Sequence, residues 1–197
     1  MAITINGNGT VTGLSVGGIN DGAIAHADLA DSTKPVFTSY ALLEDRKSSG
    51  TAGGTATSGD WYTRDLNTEI ADPDGIVSLS SNKFTLGAGS YLIKWRCPFY
   101  RTEYTQTRLY DVTNSALKQY GWTSYASSAD GVENKSIGFA RVTISGATAY
   151  RIDHACQTTK SSTGLGLASE TNASGAYTSG TTEGYSIFTV VEIYKET

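Results

Sequence analysis

The sequence predicts an all-β protein whose main domain is an antiparallel jelly-roll sandwich. The chain of 197 residues contains 22 Gly, 22 Ser and 27 Thr but only 3 Pro, so strand-forming and turn-forming residues dominate. Short runs of alternating apolar and polar residues follow one another between Gly-rich and Ser/Thr-rich turns, which is typical of half-buried strands. No helical crossover separates these runs, which favours antiparallel pairing over parallel units.

The beginning of the chain differs from the rest in composition. Residues 1–34 are rich in glycine and short aliphatic residues, and no aromatic residue occurs before Phe37. Such a segment has too little apolar surface for a core of its own, but its small residues let several backbones approach closely. We therefore expect an extended stalk and trimerisation segment at 1–34, with at most a short helix around Ala23–Leu29, followed by a domain at 35–197.

The first four strands of the domain are predicted from β-branched and aromatic runs. The fourth strand alternates most clearly, because Lys94 and Arg96 lie on the face opposite to a set of large apolar residues. That apolar set consists of Tyr91, Ile93, Trp95, Cys97 and Phe99. The four strands are expected at 36–43 (VFTSYALL), 61–67 (WYTRDLN), 76–86 (IVSLSSNKFTL) and 91–100 (YLIKWRCPFY).

The next four strands are expected at 105–112, 116–125, 136–145 and 148–158. In the last of these, one face is expected to carry Tyr150, Ile152, His154 and Cys156, and the other Arg151 and Asp153. Both cysteines of the chain are therefore expected in the core. The sequence is compatible either with two buried free thiols or with a disulfide between the two sheets.

The final strand, expected at 185–194, places apolar residues on both faces, as the strand at 36–43 does. In an antiparallel sandwich one face of each sheet normally meets water. A strand that is apolar on both faces needs a second cover, and the simplest cover is another copy of the chain. We therefore expect an oligomer with Phe37, Phe188 and Val190 in its interface.

Composition argues against several classes of function. The net charge of −4 gives no basic field for nucleic acid or anionic membranes. The longest apolar stretch, around 186–194, is far shorter than a membrane span, and the start of the chain lacks the features of a secretory signal. We expect synthesis in a cytosol, no nucleic-acid partner and no membrane insertion.

Residues that could carry catalysis are scarce. The two histidines are His26, in the stalk segment, and His154, which is expected as a hydrogen-bonded core residue. The motifs of hydrolase elbows, zinc proteases, redox dithiols and phosphate loops are absent from the sequence. Asp72 and Asp74 offer carboxylates for a calcium ion, although turn formation explains Asp-Pro-Asp-Gly equally well. We predict a protein that is not an enzyme, with no cofactor and no metal.

Four stretches of the domain carry a resemblance to a known family. They are TLGAGSYLIKW (85–95), TRLYDVTN (107–114), SIGFARVTISGATAYRIDHACQTT (136–159) and EGYSIFTVVEIYK (183–195). The Gly87-x-Gly89-x-Tyr91 turn and the aromatic-rich last strand are their most specific elements. These stretches resemble the C1q/TNF-like jelly roll in the form found at the tips of bacteriophage tail fibres, and the resemblance covers about residues 36–195. Residues 13–35 are similar to the connectors of such fibres.

The resemblance implies a homotrimer with neighbouring first and last strands and with four loops at the end far from the stalk, at about 44–60, 100–105, 126–135 and 159–184. It implies a virion protein, made in the host cytoplasm and acting outside the cell, that contacts other tail proteins and a bacterial surface receptor, either a carbohydrate or an outer-membrane component. Aromatic and small polar residues on rigid loops are typical of recognition surfaces. The candidate receptor-binding residues are Tyr100, Arg101, Tyr104, Tyr125 and Tyr177.

Two alternatives remain. In the first, the trimer is a purely structural fibre or decoration element that binds no receptor. In the second, the fibre carries a glycan depolymerase. A depolymerase requires two carboxylates that face a cleft, and Asp130 and Glu133 are better explained by a solvated loop.

Overall fold

The computed structural model of the chain describes residues 36–168 and 184–196, and within them the regular structure is entirely strand and turn. The strands are β1 (Phe37–Ser48), β2 (Tyr62–Thr63), β3 (Thr68–Ala71), β4 (Val77–Ser80), β5 (Lys83–Leu86), β6 (Gly89–Tyr100), β7 (Glu103–Asp111), β8 (Ala116–Tyr120), β9 (Ser124–Ala126), β10 (Glu133–Ile144), β11 (Thr148–Cys156) and β12 (Tyr185–Glu196). The described residues contain no helix that is long and apolar enough to cross a membrane. The helix expected near Ala23–Leu29 lies outside them.

The strands form two antiparallel sheets. One has five strands in the order β10-β6-β12-β1-β3. The other has seven, with β4-β5-β11-β7-β8 in order, β2 beside β11 and β9 beside β7. The first and last strands are neighbours, as expected, and Phe37 pairs with Glu196. We call the end of the sandwich opposite this pair the far end.

The core lies between the two sheets and confirms the alternation expected for β6. Its five apolar residues are buried, from Tyr91 to Phe99, whereas Lys94 and Arg96 are exposed. Trp95 reaches across the core, and its indole N–H donates to Thr107 Oγ1 at 2.8 Å. That hydroxyl is also 2.8 Å from Ser136 Oγ, so the polar edge of the ring is satisfied inside the core.

Three of the nine expected strands are interrupted. The stretch 76–86 is a hairpin of β4 and β5, since Ser81 and Asn82 turn the chain with φ angles of 51° and 61°. The stretch 116–125 breaks at Gly121, where a Cβ would overlap the Thr107 hydroxyl. The stretch 61–67 is a strand only at Tyr62–Thr63, because the chain then crosses between the sheets at Arg64, whose side chain is 1% exposed.

The two faces of β11 carry the residues expected of them, but one charged residue of the outer face is buried. Tyr150, Ile152 and His154 are buried in the core, as predicted. Asp153 lies with Arg151 on the opposite face, as predicted, yet it is 0% exposed, because Arg108 and Arg151 approach its two carboxylate oxygens to 2.9 and 2.7 Å. The sequence did not predict this burial.

The two cysteines are both free thiols. Cys97 is fully buried in the core. Cys156 is half-buried at the edge of the core, where its thiol donates to the Thr158 carbonyl at 3.4 Å. The disulfide left open by the sequence is not formed.

We expect Gly138→Ala to lower the free energy of unfolding by about 1–3 kcal/mol. An added Cβ at Gly138 would overlap the Trp95 indole, which its hydrogen bond holds in place. Gly146→Ala is the matched control, since a Cβ there would meet nothing within 4 Å. Urea denaturation of both variants measures the difference, and equal stabilities would contradict the proposed packing.

We also expect stability to fall with decreasing pH because of His154. Burial, and then the positive charge of Arg64, lower the pKa of His154 to about 3. Between about pH 6.5, where an unfolded histidine titrates, and about pH 3, the unfolded chain binds a proton that the folded chain does not, so unfolding becomes easier as the pH falls. The ring nitrogens are buried without a well-formed hydrogen bond in the described structure, contrary to the expectation.

Lowering the pH from about 7 to about 5 should therefore remove about 2 kcal/mol of unfolding free energy through this residue. The measurement is urea denaturation at both pH values for the natural chain and for His154→Leu. The variant should lose less stability than the natural chain over this interval. An equal loss in both proteins would show that other groups carry the pH dependence.

Candidate functional site

Four loops meet at the far end of the sandwich, as the resemblance implied, and the first three are shorter than expected because the adjoining strands extend into them. The four loops comprise residues 49–61, 101–102, 127–132 and 157–168 in the described structure. Backbone N–H groups link them by donating from Gly53 to Gly166 (3.0 Å), Tyr100 to Gly164 (3.1 Å), Thr158 to Thr102 (3.1 Å) and Arg101 to Val132 (3.4 Å). These loops therefore fix one another.

Two of the predicted residues, Tyr104 and Tyr125, form a pair at this end. They lie directly opposite each other in the ladder of β7 and β9. Their ring centroids are 5.0 Å apart with an interplanar angle of 61°, an edge-to-face contact. Tyr104 is 61% and Tyr125 45% exposed. The pair thus presents aromatic surface to solvent with both rings held in place.

The carboxylate of Glu103 supports this pair. It accepts hydrogen bonds from the Ser128 hydroxyl and from the Ser128 N–H, the latter at 2.9 Å. The bonds from the Ser128 side chain and from the Tyr125 hydroxyl lower the pKa of Glu103, which keeps this carboxylate ionised. The same bond to Glu103 raises the pKa of Tyr125. Glu103 thus ties the loop at 127–132 to the tyrosine pair.

Tyr100 and Arg101 lie on the other side of the loop at 127–132. The Arg101 guanidinium is centred 5.5 Å from the Tyr100 ring, and its Nη2 donates to the Ala129 carbonyl at 3.4 Å. Its Nε is buried without a hydrogen-bond partner in the described structure. Arg101 is therefore partly used to hold its own chain, and less of its guanidinium is offered to a ligand than the sequence suggested. Tyr177, the fifth predicted residue, lies outside the described residues.

A shallow depression of about 330 Å³ adjoins Tyr104. Its lining residues are all uncharged and come from two strands, β7 and β11, and from the residues just before β9 and just after β11. They are Tyr104, Thr105, Gln106, Thr123, Ala155, Cys156 and Gln157. Sequence reasoning missed all of these except Tyr104, because only the register of β7 against β11, with Thr105 opposite Cys156, brings them together.

The seven-stranded sheet also carries a stack of aromatic and arginine side chains that the sequence did not reveal. The Arg108 guanidinium lies 4.5 Å from the centroid of the Trp61 ring and 4.7 Å from that of Tyr110. Arg151 lies 4.8 Å from the Tyr110 ring centroid, and Tyr120 packs on Trp61 at 5.8 Å. The buried carboxylate of Asp153 forms ion pairs with both guanidinium groups, and these ion pairs hold the stack in place.

The carboxylate of Asp72, a candidate calcium ligand, accepts hydrogen bonds from the backbone that follows it. Its oxygens accept the N–H groups of Ile76 at 2.8 Å and Val77 at 2.9 Å. In the described ranges no group of three or more His, Cys, Asp or Glu residues is placed to hold a metal ion. Turn formation accounts for the Asp-Pro-Asp-Gly sequence.

The predicted interface residues have different surroundings. Phe188 is 3% exposed because its own chain covers it, with Gly53 and Gly166 packed against the ring. Loops of the same chain therefore bury Phe188, whereas the sequence argument had assigned its burial to another copy of the chain. Val190 is 5% exposed and lines two depressions on the outer face of the five-stranded sheet. Phe37 is 37% exposed and packs on Tyr194.

Other apolar side chains are exposed on the same sheet. Phe139 is 56%, Tyr40 47% and Ile137 41% exposed. Ile137 lines a depression of about 150 Å³ together with Val190. Sequence reasoning did not single out the two β10 residues, because an alternating strand does not show which of its faces meets water.

No protein-family model and no curated protein sequence matches the chain. Among solved structures, murine APRIL at pH 5.0 aligns with a TM-score of 0.51 at 9% identity, over 80% of this chain and 98% of that chain. The globular domain of zebrafish complement 1qA aligns with a TM-score of 0.47 at 12% identity, over 80% and 97%. Eiger TNF from S. frugiperda aligns with a TM-score of 0.49 at 9% identity, over 83% and 94%.

At these identities the likeness concerns the fold alone, and the match to APRIL is the one of these three whose TM-score exceeds 0.5. It agrees with the two antiparallel sheets of the described residues. The domain described here has a C1q/TNF-like jelly-roll fold.

Proposed function

We propose that the chain is the receptor-binding tip of a trimeric bacteriophage tail fibre. In this role residues 1–34 join three chains as a stalk and contact other tail proteins, and the far end of the jelly roll binds a receptor on the bacterial surface. The observation that supports the role best is the exposed Tyr104–Tyr125 pair on loops that are hydrogen-bonded to one another. Rigid aromatic surface gives contact area at little cost in side-chain entropy.

The proposed role is binding without catalysis. Burial raises the pKa of the Cys97 and Cys156 thiols, which is the opposite of what activates a nucleophilic cysteine. His154 is neutral and enclosed in the core. Glu103, the carboxylate beside the tyrosine pair, has a lowered pKa and so is poorly suited to donate a proton as a general acid.

The trimer of this proposal uses the outer face of the five-stranded sheet. Phe139, Tyr40 and Ile137 expose apolar area there, and burying such side chains contributes about 1.5–3 kcal/mol each. Three chains at fixed spacing also compensate for shallow single sites, because binding of the first site raises the effective concentration of the others.

Light scattering should show a trimer for the natural chain, and Ile137→Asp combined with Phe139→Asp should shift the mass toward the monomer. A charge at each position opposes burial against another chain. Leu117→Asp is the control, because Leu117 is equally exposed at 41% but lies on β8 of the other sheet. A monomeric natural chain, or a trimer that survives the double change, would contradict the proposed interface. Phe188 is unsuitable for this test, since its substitution opens the chain's own packing.

Tyr104→Ala and Tyr125→Ala should weaken adhesion of the fluorescently labelled chain to susceptible strains in a bacterial panel, with melting temperature nearly unchanged. Both rings are largely exposed, so their removal costs the fold little. Tyr120→Ala is the matched control, because Tyr120 is 46% exposed on the face of the seven-stranded sheet.

Loss of adhesion in Tyr120→Ala alone would place the receptor site on the side of the sandwich. Absence of adhesion to every strain would favour a purely structural fibre element. Release of soluble sugar from cell-surface polysaccharide would indicate a depolymerase.

A further inference from the structure

The depression beside Tyr104 has the composition of a small-ligand site. It lies where β7 and β9 begin and β11 ends. Its volume of about 330 Å³ is at the lower end of the range of about 300–1,000 Å³ usual for such sites. That size accommodates one saccharide ring. Tyr104, the most exposed residue of the tyrosine pair, stands at its edge.

The polar groups of the depression are carboxamides and hydroxyls. Gln106 is held in place, because its Nε2 donates to the Gly121 carbonyl at 3.0 Å. The Gln157 N–H donates to the Tyr104 carbonyl at 2.8 Å, which fixes the backbone from which its side chain extends. A carboxamide both donates and accepts hydrogen bonds, and so matches the vicinal hydroxyl groups of a sugar.

A buried hydroxyl beside the depression lacks a partner. Ser124 follows the lining residue Thr123 and lies opposite the lining residue Thr105 in the ladder. Its Oγ is buried with no hydrogen-bond partner in the described structure. Buried polar groups are normally satisfied by protein, water or ligand, and this one lies next to the depression without being one of its lining residues.

Charge selects the class of sugar. None of the lining residues carries a formal charge. The ionised carboxylate of Glu103 precedes Tyr104 in the chain and disfavours an anionic ligand. The Arg108 and Arg151 guanidinium groups are committed to Asp153 and to the aromatic stack on the sheet face. A neutral sugar suits this depression, because among the described residues no unpaired cationic side chain lines it that could bind an anionic sugar.

We propose that this depression binds one neutral pyranose unit of a bacterial surface glycan, with Tyr104 against the apolar face of the ring and Gln106 and Gln157 on its hydroxyl groups. This inference rests on the proposed receptor-binding role and names its ligand class. Tyr125 acts as a positioning residue, because its edge-to-face contact sets the angle of the Tyr104 ring.

The half-buried thiol of Cys156 provides a reporter within the site, since it lines the depression while Cys97 is enclosed in the core. The full-length chain is treated with N-ethylmaleimide in the presence of methyl glycosides of glucose, galactose, mannose, rhamnose and N-acetylglucosamine, and of glucuronic acid as the anionic comparison. Intact mass gives the rate of modification. Cys156→Ser should abolish the modification. Saturation-transfer difference NMR with the same sugars provides a second readout that does not need the thiol.

At least one neutral glycoside should slow the modification, about two-fold when its concentration equals Kd, because half the sites are then occupied. It should also give a saturation-transfer signal, and both effects should disappear in Tyr104→Ala and Gln157→Ala but persist in Tyr120→Ala. Preferential protection by the glucuronide, or protection that persists in Tyr104→Ala, would overturn the inference. If no neutral sugar gives either effect while adhesion to cells still depends on Tyr104, the saccharide assignment is wrong and the receptor-binding role stands. If adhesion is also independent of Tyr104, both are wrong.

Discussion

The far end of the sandwich depends on the buried guanidinium of Arg64. Its three nitrogens donate to Thr189 Oγ1, to the Pro98 carbonyl and to the Leu165 carbonyl, each at 3.1 Å. Its plane is centred 5.0 Å from the Phe99 ring. A charge buried in a core is tolerated only when hydrogen bonds replace its water. Burial lowers the pKa of Arg64, and nearby acidic groups such as Asp45 oppose that shift.

The bond to the Leu165 carbonyl holds the described part of the last loop, residues 157–168, against the core. Leu165 is drawn over the end of β12, and the neighbouring Gly166 packs on the Phe188 ring. The apolar residues on both faces of β12 are thus explained in part by a loop of the same chain. The surface left for another chain shifts toward Ile137 and Phe139 on β10. Apolar residues on both faces of a strand can therefore be buried in two ways, by another segment of the same chain or by a neighbouring chain.

The candidate binding surface is a product of strand register. Tyr104 is 21 residues from Tyr125 and 53 from Gln157 in the numbering of the chain, yet the first faces it across the ladder and the second donates its N–H to the Tyr104 carbonyl. The tight connection between β6 and β7 contributes, since Arg101 and Glu103 adopt φ angles of 55° and 60°. Positive φ at two residues that are not glycine is costly. Here the hydrogen bonds of Glu103 to Ser128 help to hold the turn.

The sequence alone determined the fold class, because alternation in β6 and β11 places Trp95, Tyr150 and their neighbours in one core whatever the loops do. Its resemblance to the C1q/TNF-like jelly roll also implied the pairing of the first and last strands and placed Tyr104 and Tyr125 at the far end. Only the tertiary structure decided that the chain crosses between sheets at Arg64, that Asp153 is buried, and that Gln106, Cys156 and Gln157 share a depression with Tyr104. Each of these outcomes depends on a partner distant in sequence: three backbone or hydroxyl oxygens for Arg64, the Arg108 guanidinium for Asp153, and a strand register for the depression. Local patterns record which face a side chain takes, whereas partners of this kind exist only once the two sheets have come together.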